Sequence, residues 1–519
     1  MMVIVVAILA ARVPFSSETL RRRVIDGLAA RLDAEVELGN LELRLLPTMH
    51  ARGTELRIHH KGRTDVPPLM SVQTFTVTAS LGSLWRWHVS HVTLEGLDIQ
   101  IPPDDDNDAD KTPEPADSSP GLEDDSDYIR QVVIDDLDAP NARLTILRRE
   151  ASKPARVWTM HTLKVRDLGL NSKMPFETVL TNAVPPGEIT ASGTFGPWQR
   201  RDPGRTPLDG RFIFENADLG VFDGIGGTLS AKGTFGGKLE VIAVDGETTT
   251  PDFSIDISGQ PVPLTTNYHA VVDATNGNTT LDPVNATFLQ TSLVARGGVY
   301  EVPGVKGRVI KLDIAMDGGR LEDIMRLAVK TPTPPMTGRL NLTTKFEIPP
   351  GKANVVKKLK LDGRFTIENG RFTNAGVQTK INELSRRARG RALETVDATE
   401  KVASNFSGRF QLAGGRLSLP NVAFDVPGAV VELAGSYDLQ QELIDFNGNL
   451  FMDAKLSQTV AGFKSLLLKM VDPFFRKDGR TVVPLKISGT RGDPQFGLDV
   501  RRALRRGDAA APPPRSPTH

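Results

Sequence analysis

The sequence predicts a mainly β protein: an elongated, curled antiparallel β-sheet groove of repeating short strands, with a few amphipathic helices at the N-terminus and in the C-terminal third. Three observations predict it. Apolar and polar residues alternate with a period of two in short runs along most of the 519 residues, the pattern of strands with one buried face. The runs are bounded by turn chemistry in a chain rich in Gly (47) and Pro (36). A loose repeat joins Ser192-Gly193-Thr194-Phe195-Gly196 to Lys232-Gly233-Thr234-Phe235-Gly236. The wider pattern of Gly, short strand, turn and short strand recurs at Gly363-Arg364-Phe365 and Gly408-Arg409-Phe410, as in a meander extended by duplication.

At the N-terminus, residues 1–11 are uniformly apolar and Arg12 ends the run. That is short of the roughly 20 residues a membrane-spanning helix needs. A basic n-region and a small-residue cleavage site are missing, so a signal peptide fits poorly. Residues 1–15 are therefore expected to be part of a membrane anchor that begins upstream. Arg12, Arg21, Arg22 and Arg23 follow the apolar run, and the positive-inside rule opposes exporting that side. After Pro14 a helix is expected, with Ser16 or Ser17 as N-cap. Leu20, Val24, Ile25, Leu28 and Leu32 form its apolar stripe, packing on the first strands.

From Val36 the period changes to two. Phe75, Val77 and Ala79 alternate with polar residues, then Val92 and Leu94, then Leu97, Ile99 and Ile101 beyond a Glu95-Gly96 break. Further on, Phe253, Ile255 and Ile257 alternate, as do Ile310, Leu312, Ile314 and Met316, and Leu340, Leu342 and Phe346. Asn369-Gly370 and Gly414-Gly415 offer the positive φ that two-residue hairpins require. One face of such a sheet is apolar over hundreds of residues, and few helices are available to cover it. The sheet must curl on itself, pack as two layers, or shelter something apolar. The third option makes Phe253, Ile255, Ile257, Ile310, Leu312, Ile314, Leu340, Leu342 and Phe346 candidates for lining a lipid groove. A strand of about six residues is roughly 20 Å long, close to an extended acyl chain. The same periodicity also fits a closed sandwich core.

Residues 104–127 hold eleven acids, one Lys and three Pro, the composition of a solvated, disordered loop. Asp104, Asp106 and Asp108 have the opening spacing of a calcium loop, but Ala109 and Pro115 stand where its Gly and Glu belong. Two helices are expected in the C-terminal third. Val377, Ile381 and Leu384 mark one running toward Gly390. Leu456, Val460, Phe463, Leu467 and Val471 form the stripe of the other, which is expected to cap an open end of the sheet. Lys464, Lys469, Arg476 and Lys477 around it leave membrane contact as a second use. Residues 507–519, rich in Pro and Ala, read as a free tail.

Charge is balanced, 63 basic against 63 acidic residues, which argues against nucleic acid as a partner. The chain has no Cys, so disulfides, thiolate catalysis and Cys-based zinc sites are excluded. His88 and His91 sit three apart in a strand and are expected on opposite faces, poor for sharing a metal, and adjacent His59-His60 fail likewise. No G-x-S-x-G elbow, H-E-x-x-H or phosphate loop occurs. No catalytic, cofactor-binding or metal-ligating residues are expected, and the chain is read as not an enzyme.

The order of several short motifs resembles the AsmA-like family of Gram-negative envelope proteins. They are the apolar segment and helix, then Val36-Glu37-Leu38-Gly39, Leu41-Glu42-Leu43-Arg44-Leu45-Leu46-Pro47, Phe75 to Leu84, and Val92-Thr93-Leu94-Glu95-Gly96-Leu97-Asp98-Ile99. The C-terminal marks are Phe424-Asp425-Val426-Pro427-Gly428-Ala429, Leu433-Ala434-Gly435-Ser436-Tyr437-Asp438-Leu439, Asp472-Pro473-Phe474-Phe475-Arg476-Lys477, and Phe496-Gly497-Leu498-Asp499-Val500. The resemblance implies an inner-membrane anchor, a periplasmic body and a β-groove that binds phospholipid acyl chains and helps move them toward the outer membrane, with envelope proteins as possible partners. It carries no catalytic residues. The expected organisation is an anchor at 1–15, an N-terminal AsmA-like region at 16–103, the acidic loop at 104–127, a middle β region at 128–358, an AsmA-like C-terminal domain at 359–506 and the tail. Two other classes remain open: a scaffold or chaperone for outer-membrane protein assembly, and a β-helical polysaccharide enzyme.

Overall fold

The computed structural model describes residues 17–32, 34–44, 48–59, 67–80, 82–83, 88–101, 133–146, 156–169, 171–199, 202–351, 353–391, 402–454, 476–477, 480–490 and 494–498. The expected anchor, the acidic loop, the Leu456–Val471 stripe and the tail lie outside these residues. What is described is mainly β, with antiparallel pairing dominant. It divides into two compact units: Met1–Val221 with Thr228–Thr248 and Ala270–Gly277, and Phe222–Gly227 with Thr249–His269 and Asn278–His519.

In the first unit, helix α1 (Ser17–Leu32) lays Val24 and Leu28, one turn apart, into a core with Val36, Leu38 and Leu41. Strands β1 (Glu35–Glu37) and β2 (Leu41–Arg44) both pair with β3 (Met49–His59), and β3 pairs with β4 (Met70–Ala79). Burial along β3 alternates between buried and exposed, so this core is sealed. β4 pairs with β5 (His88–Glu95) and β6 (Asp98–Ile101), which Gly96, at φ +66°, separates as a turn. The next two strands, β7 (Val133–Asp138) and β8 (Ala142–Ile146), run parallel to β5 and β6 respectively. This departs from the wholly antiparallel expectation. The chain between β6 and β7 spans residues 102–132, the length of connection a parallel neighbour requires. Antiparallel pairing then continues through β9 (Arg156–Leu168), β10 (Met174–Thr181), β11 (Glu188–Phe195), β12 (Pro207–Asp218) and, beyond the two-residue β13 (Ile225–Gly226), β14 (Thr228–Lys238).

The unit boundary passes through β15 (Val241–Ile255) and β16 (Val262–Val272). In the second unit, Phe253 and Ile255 close β15, but Ile257 lies in the turn after it rather than in the expected strand. Ser258 and Gly259 both donate their N–H to Ile255 O there, and Gly259 takes a positive φ. A meander follows: β17 (Thr279–Phe288), β18 (Thr291–Val302), β19 (Val305–Arg320), β20 (Met336–Ile348), β21 (Lys360–Phe372), β22 (Ser404–Ala413), β23 (Arg416–Val426), β24 (Ala429–Asp438) and β25 (Leu443–Met452). β25 pairs with β27 (Arg480–Thr490), flanked by β26 (Arg476–Lys477) and β28 (Pro494–Leu498). Gly414-Gly415 form a positive-φ hairpin turn as expected. Asn369-Gly370 instead form a bulge inside β21, where the register shifts on both sides and Asn369 takes φ +55°. A bulge uses the same left-handed residue without ending the strand.

Helices enter the second unit between strands. α2 (Leu321–Ala328) links β19 to β20, the short α3 (Val355–Lys358) precedes β21, and α4 (Ala375–Ala388) links β21 to β22. The sequence reading missed α2, although Glu322 and Asp323 in its first turn and Arg326 in its last suit the helix dipole. α2 and α4 lie at the same ends of their strands and cover the apolar face there. Leu321 packs with Met316, Met336, Leu340 and Ile367. Ala388 packs with Phe424, Val426, Val431 and Leu450, and Ile381 and Leu384 lie partly buried against that cluster. The face of α4 that is buried is nevertheless polar: Gln378, Asn382 and Ser385, with Val377 left 39% exposed. Each buried group is bonded. Gln378 Nε2 donates to Asn382 Oδ1 and Val402 O, and Ser385 Oγ donates to Pro427 O at 2.7 Å. Apolar periodicity located this helix and its packed Ile381 and Leu384, but not the polar part of its buried face, which hydrogen bonds satisfy.

α2 is fastened by charge. Asp323 is 6% exposed and accepts from Thr291 Oγ1 (2.8 Å) and Gln290 N (3.1 Å). Glu322 accepts from Arg320 Nε at 2.7 Å and from Gly338 N. Burial opposes ionisation of Glu322, but backbone N–H groups and Arg320 outweigh it and hold the carboxyl below its ordinary value. A depressed carboxyl stabilises the fold above its unfolded pKa, and the gain is lost as pH falls through the lower folded value. Glu322→Gln is therefore expected to flatten the acid limb of a stability–pH curve measured by urea unfolding while leaving the slope near neutrality unchanged.

Candidate functional sites: two apolar faces

The meander of the second unit sorts its side chains by face. On one side, cross-strand partners of opposite charge line up: Arg296 with Asp313, Asp313 with Lys345, Lys345 with Asp362. The other side is apolar. Leu312, Phe346, Leu361, Leu412 and Leu417 stand opposite one another on five successive strands. Strands about 4.8 Å apart make this row roughly 20 Å long. A second row, Leu340, Ile367, Phe406, Phe424, Val431 and Leu450, runs nearer α2 and α4.

Burial differs between the rows. Under the helices Leu340, Ile367, Phe424, Val431 and Leu450 are buried and Phe406 is partly so. Away from them Leu412 is buried, but Ile310, Leu312, Ile314, Leu342, Phe346, Leu361 and Leu417 are only partly buried, although their side chains are as apolar. In the first unit's sealed core the equivalent positions of β3 are fully buried. The second unit thus keeps an apolar surface partly in contact with solvent, at a cost of about 25 cal/mol per Å². Of the nine predicted groove residues, Leu340 is core beneath α2. Ile310, Leu312, Ile314, Leu342 and Phe346 share the partly open rows, and Phe253, Ile255 and Ile257 are partly buried in the separate 249–269 segment.

The repeat noticed in the sequence has a physical role in this face. Gly363-Arg364-Phe365 and Gly408-Arg409-Phe410 pair antiparallel with Gly363 opposite Phe410 and Phe365 opposite Gly408. Each ring lies against a position without a side chain, and the two ring centroids are 6.3 Å apart. A Cβ on Gly363 would stand 2.9 Å from the Phe410 ring. Phe–Gly pairing recurs at Gly435–Phe446 in this unit, and at Gly53–Phe75, Phe176–Gly193, Gly210–Phe235 and Phe212–Gly233 in the first. The pairing covers glycine backbone with aromatic surface and keeps the apolar layer one ring thick.

The first unit carries a pocket that sequence reasoning did not locate. It has a volume of about 540 Å³, and apart from Gly169 its lining is apolar side chains: Leu163, Val165, Leu168, Met174, Phe176, Phe195, Trp198, Leu208 and Phe235. These come from β9, β10, β11, β12 and β14 and from the Gly196-Pro197-Trp198 corner, which no single strand's pattern reveals. Phe195 and Trp198 stand 6.0 Å apart at that corner. Such a site accepts an uncharged aliphatic group and offers nothing to bind a headgroup.

β5 and β7 run in unbroken parallel register, and each histidine sits beside its own carboxylate of β7: His88 Nδ1 is 2.6 Å from Asp135 Oδ1 and His91 Nε2 is 3.5 Å from Asp138 Oδ2. Among the described residues no group of three His, Asp or Glu side chains is placed to hold a metal, and no helix is long and apolar enough to cross a membrane. No known family, curated protein or solved structure matches the chain.

Proposed function

We propose that the chain is a membrane-tethered periplasmic β-groove protein that takes acyl chains along its apolar sheet faces, in phospholipid transport or outer-membrane biogenesis. The observation that carries the reading is the partly buried Leu312–Phe346–Leu361 row of the second unit, in contrast to the buried apolar positions of β3 in the first. An apolar face that only needed to be stable would be covered, as the helix-covered end is. The all-apolar pocket in the first unit supports the same ligand chemistry. The anchor at residues 1–15, the inner-membrane and periplasmic location and the transport role rest on the resemblance to the AsmA-like family. In this reading the sheet is curled, and α2 and α4 close one long side of the groove.

Each methylene moved from water onto such a face gains about 0.8 kcal/mol, so a bound tail survives purification. Native mass spectrometry of the protein purified without added lipid should show phospholipid masses attached. A lipid-free protein that crosslinks to outer-membrane proteins would favour the scaffold reading instead.

A further inference from the structure

The face opposite the apolar rows carries a second feature. In the antiparallel pairing of the two Gly-Arg-Phe segments, Arg364 stands directly across from Arg409. Like charges directly opposite on a sheet destabilise it. Among the described residues neither guanidinium has a carboxylate within ion-pair distance; Arg364 Nε donates to Thr343 Oγ1 at 3.1 Å. The fold does not demand this arrangement. In the first unit Gly210-Arg211-Phe212 pairs in the same way with Gly233-Thr234-Phe235, and there the Arg faces Thr234 and donates to Ser192 Oγ. Phe–Gly interlocking is kept on the apolar side in both pairs, so the second Arg answers to something on the polar side.

Beside the two arginines is a depression of about 470 Å³, with Ala315 and Thr343 also in its lining. Arg296, Lys345, Arg364 and Arg409 line it against only Asp313 and Asp362. Those two carboxylates are engaged: Lys345 Nζ is 3.2 Å from Asp313 Oδ1, and Gln411 Nε2 donates to Asp362 Oδ2. Arg296 is taken by Asp282 at 2.9 Å. Gln411 is neutral and leaves the charge of Asp362 in place, so the depression keeps a net excess of one positive charge where Arg364 and Arg409, neither in an ion pair among the described residues, stand across from each other. We propose that this pair binds a phosphoryl group, whose oxygens accept from both guanidinium forks and remove their repulsion. The site lies on the opposite face from the acyl rows and stands independently of the function proposed for them.

Titration calorimetry with inorganic phosphate at constant ionic strength tests it. Saturable binding is expected for the unaltered chain, with affinity reduced about tenfold or more by Arg409→Thr, which copies the natural Arg211–Thr234 pair, and by Arg364→Gln. Arg211→Thr should leave it unchanged. In phosphate-free buffer of low ionic strength Arg409→Thr should melt higher than the unaltered chain, because the repulsion is gone. Flotation with vesicles of phosphatidylcholine, with and without phosphatidic acid, separates the two sources of the group. Arginine-dependent capture by the acidic vesicles makes it membrane-borne, and phosphate binding without capture makes it soluble. Absence of saturable phosphate binding, or equal losses in Arg409→Thr and Arg211→Thr, overturns the proposal.

Discussion

Gly53→Val is expected to lower the stability of the first unit by about 3 kcal/mol, the upper end of what overpacking a tight core costs. Gly53 on β3 faces Phe75 on β4, and a Cβ at Gly53 would lie 2.2 Å from the ring's Cζ. Relief would require the ring to move, but Phe75 is 1% exposed and enclosed by Val72, Val77 and Val92 in one continuous core. Valine, with three more carbons than glycine, meets the ring whatever rotamer it adopts. Urea unfolding checks the loss through the midpoint. The partner matters as much as the site: Gly53→Val with Phe75→Ala should recover part of the stability of Gly53→Val alone, because the two substitutions share one volume. Additive losses would show that the Phe–Gly pairing is incidental.

Leu312→Asp is expected to leave folding nearly intact and to remove lipid. Leu312 is only partly buried and begins the open row, opposite Phe346 on one side and Gly297 on the other. A carboxylate there withdraws apolar contact from at least two methylenes of a passing chain, about 1.6 kcal/mol, or roughly a tenfold loss of retained phospholipid. Gln411→Glu, which adds the same charge to the polar face of the same sheet, should retain lipid at the original level. Native mass spectrometry of the two variants beside the unaltered chain gives the comparison. Equal retention by Leu312→Asp would mean that the row is not where lipid lies.

Much of the sheet was legible because its signal is local. A period of two persists whatever the neighbouring strand is, so Ile310, Leu312 and Ile314, or Leu340, Leu342 and Phe346, could be assigned to one face without knowing the register. What failed depends on partners. Strand direction at β7 and β8 appears only in their pairing with β5 and β6, which alternation within one strand does not carry. Gln378, Asn382 and Ser385 look like a solvent face until Val402, Phe372 and Pro427 supply their bonds. The first unit's pocket was illegible for the same reason, since its walls come from five strands and a Gly-Pro-Trp corner. The Gly-Arg-Phe repeat was visible as a pattern, but only register shows that it interlocks Phe with Gly on one face and sets Arg against Arg on the other.

The central claim is that lipid tails contact the apolar face of the second unit's sheet and not its charged face. Adjacent residues on one strand separate the alternatives, because Leu312 and Asp313 point to opposite sides of β19. A photo-crosslinking amino acid at position 312, irradiated in cells, is expected to yield phospholipid adducts, while the same group at position 313 yields none. Adducts at both positions in equal amount, or at neither while bound lipid is present, would contradict the account.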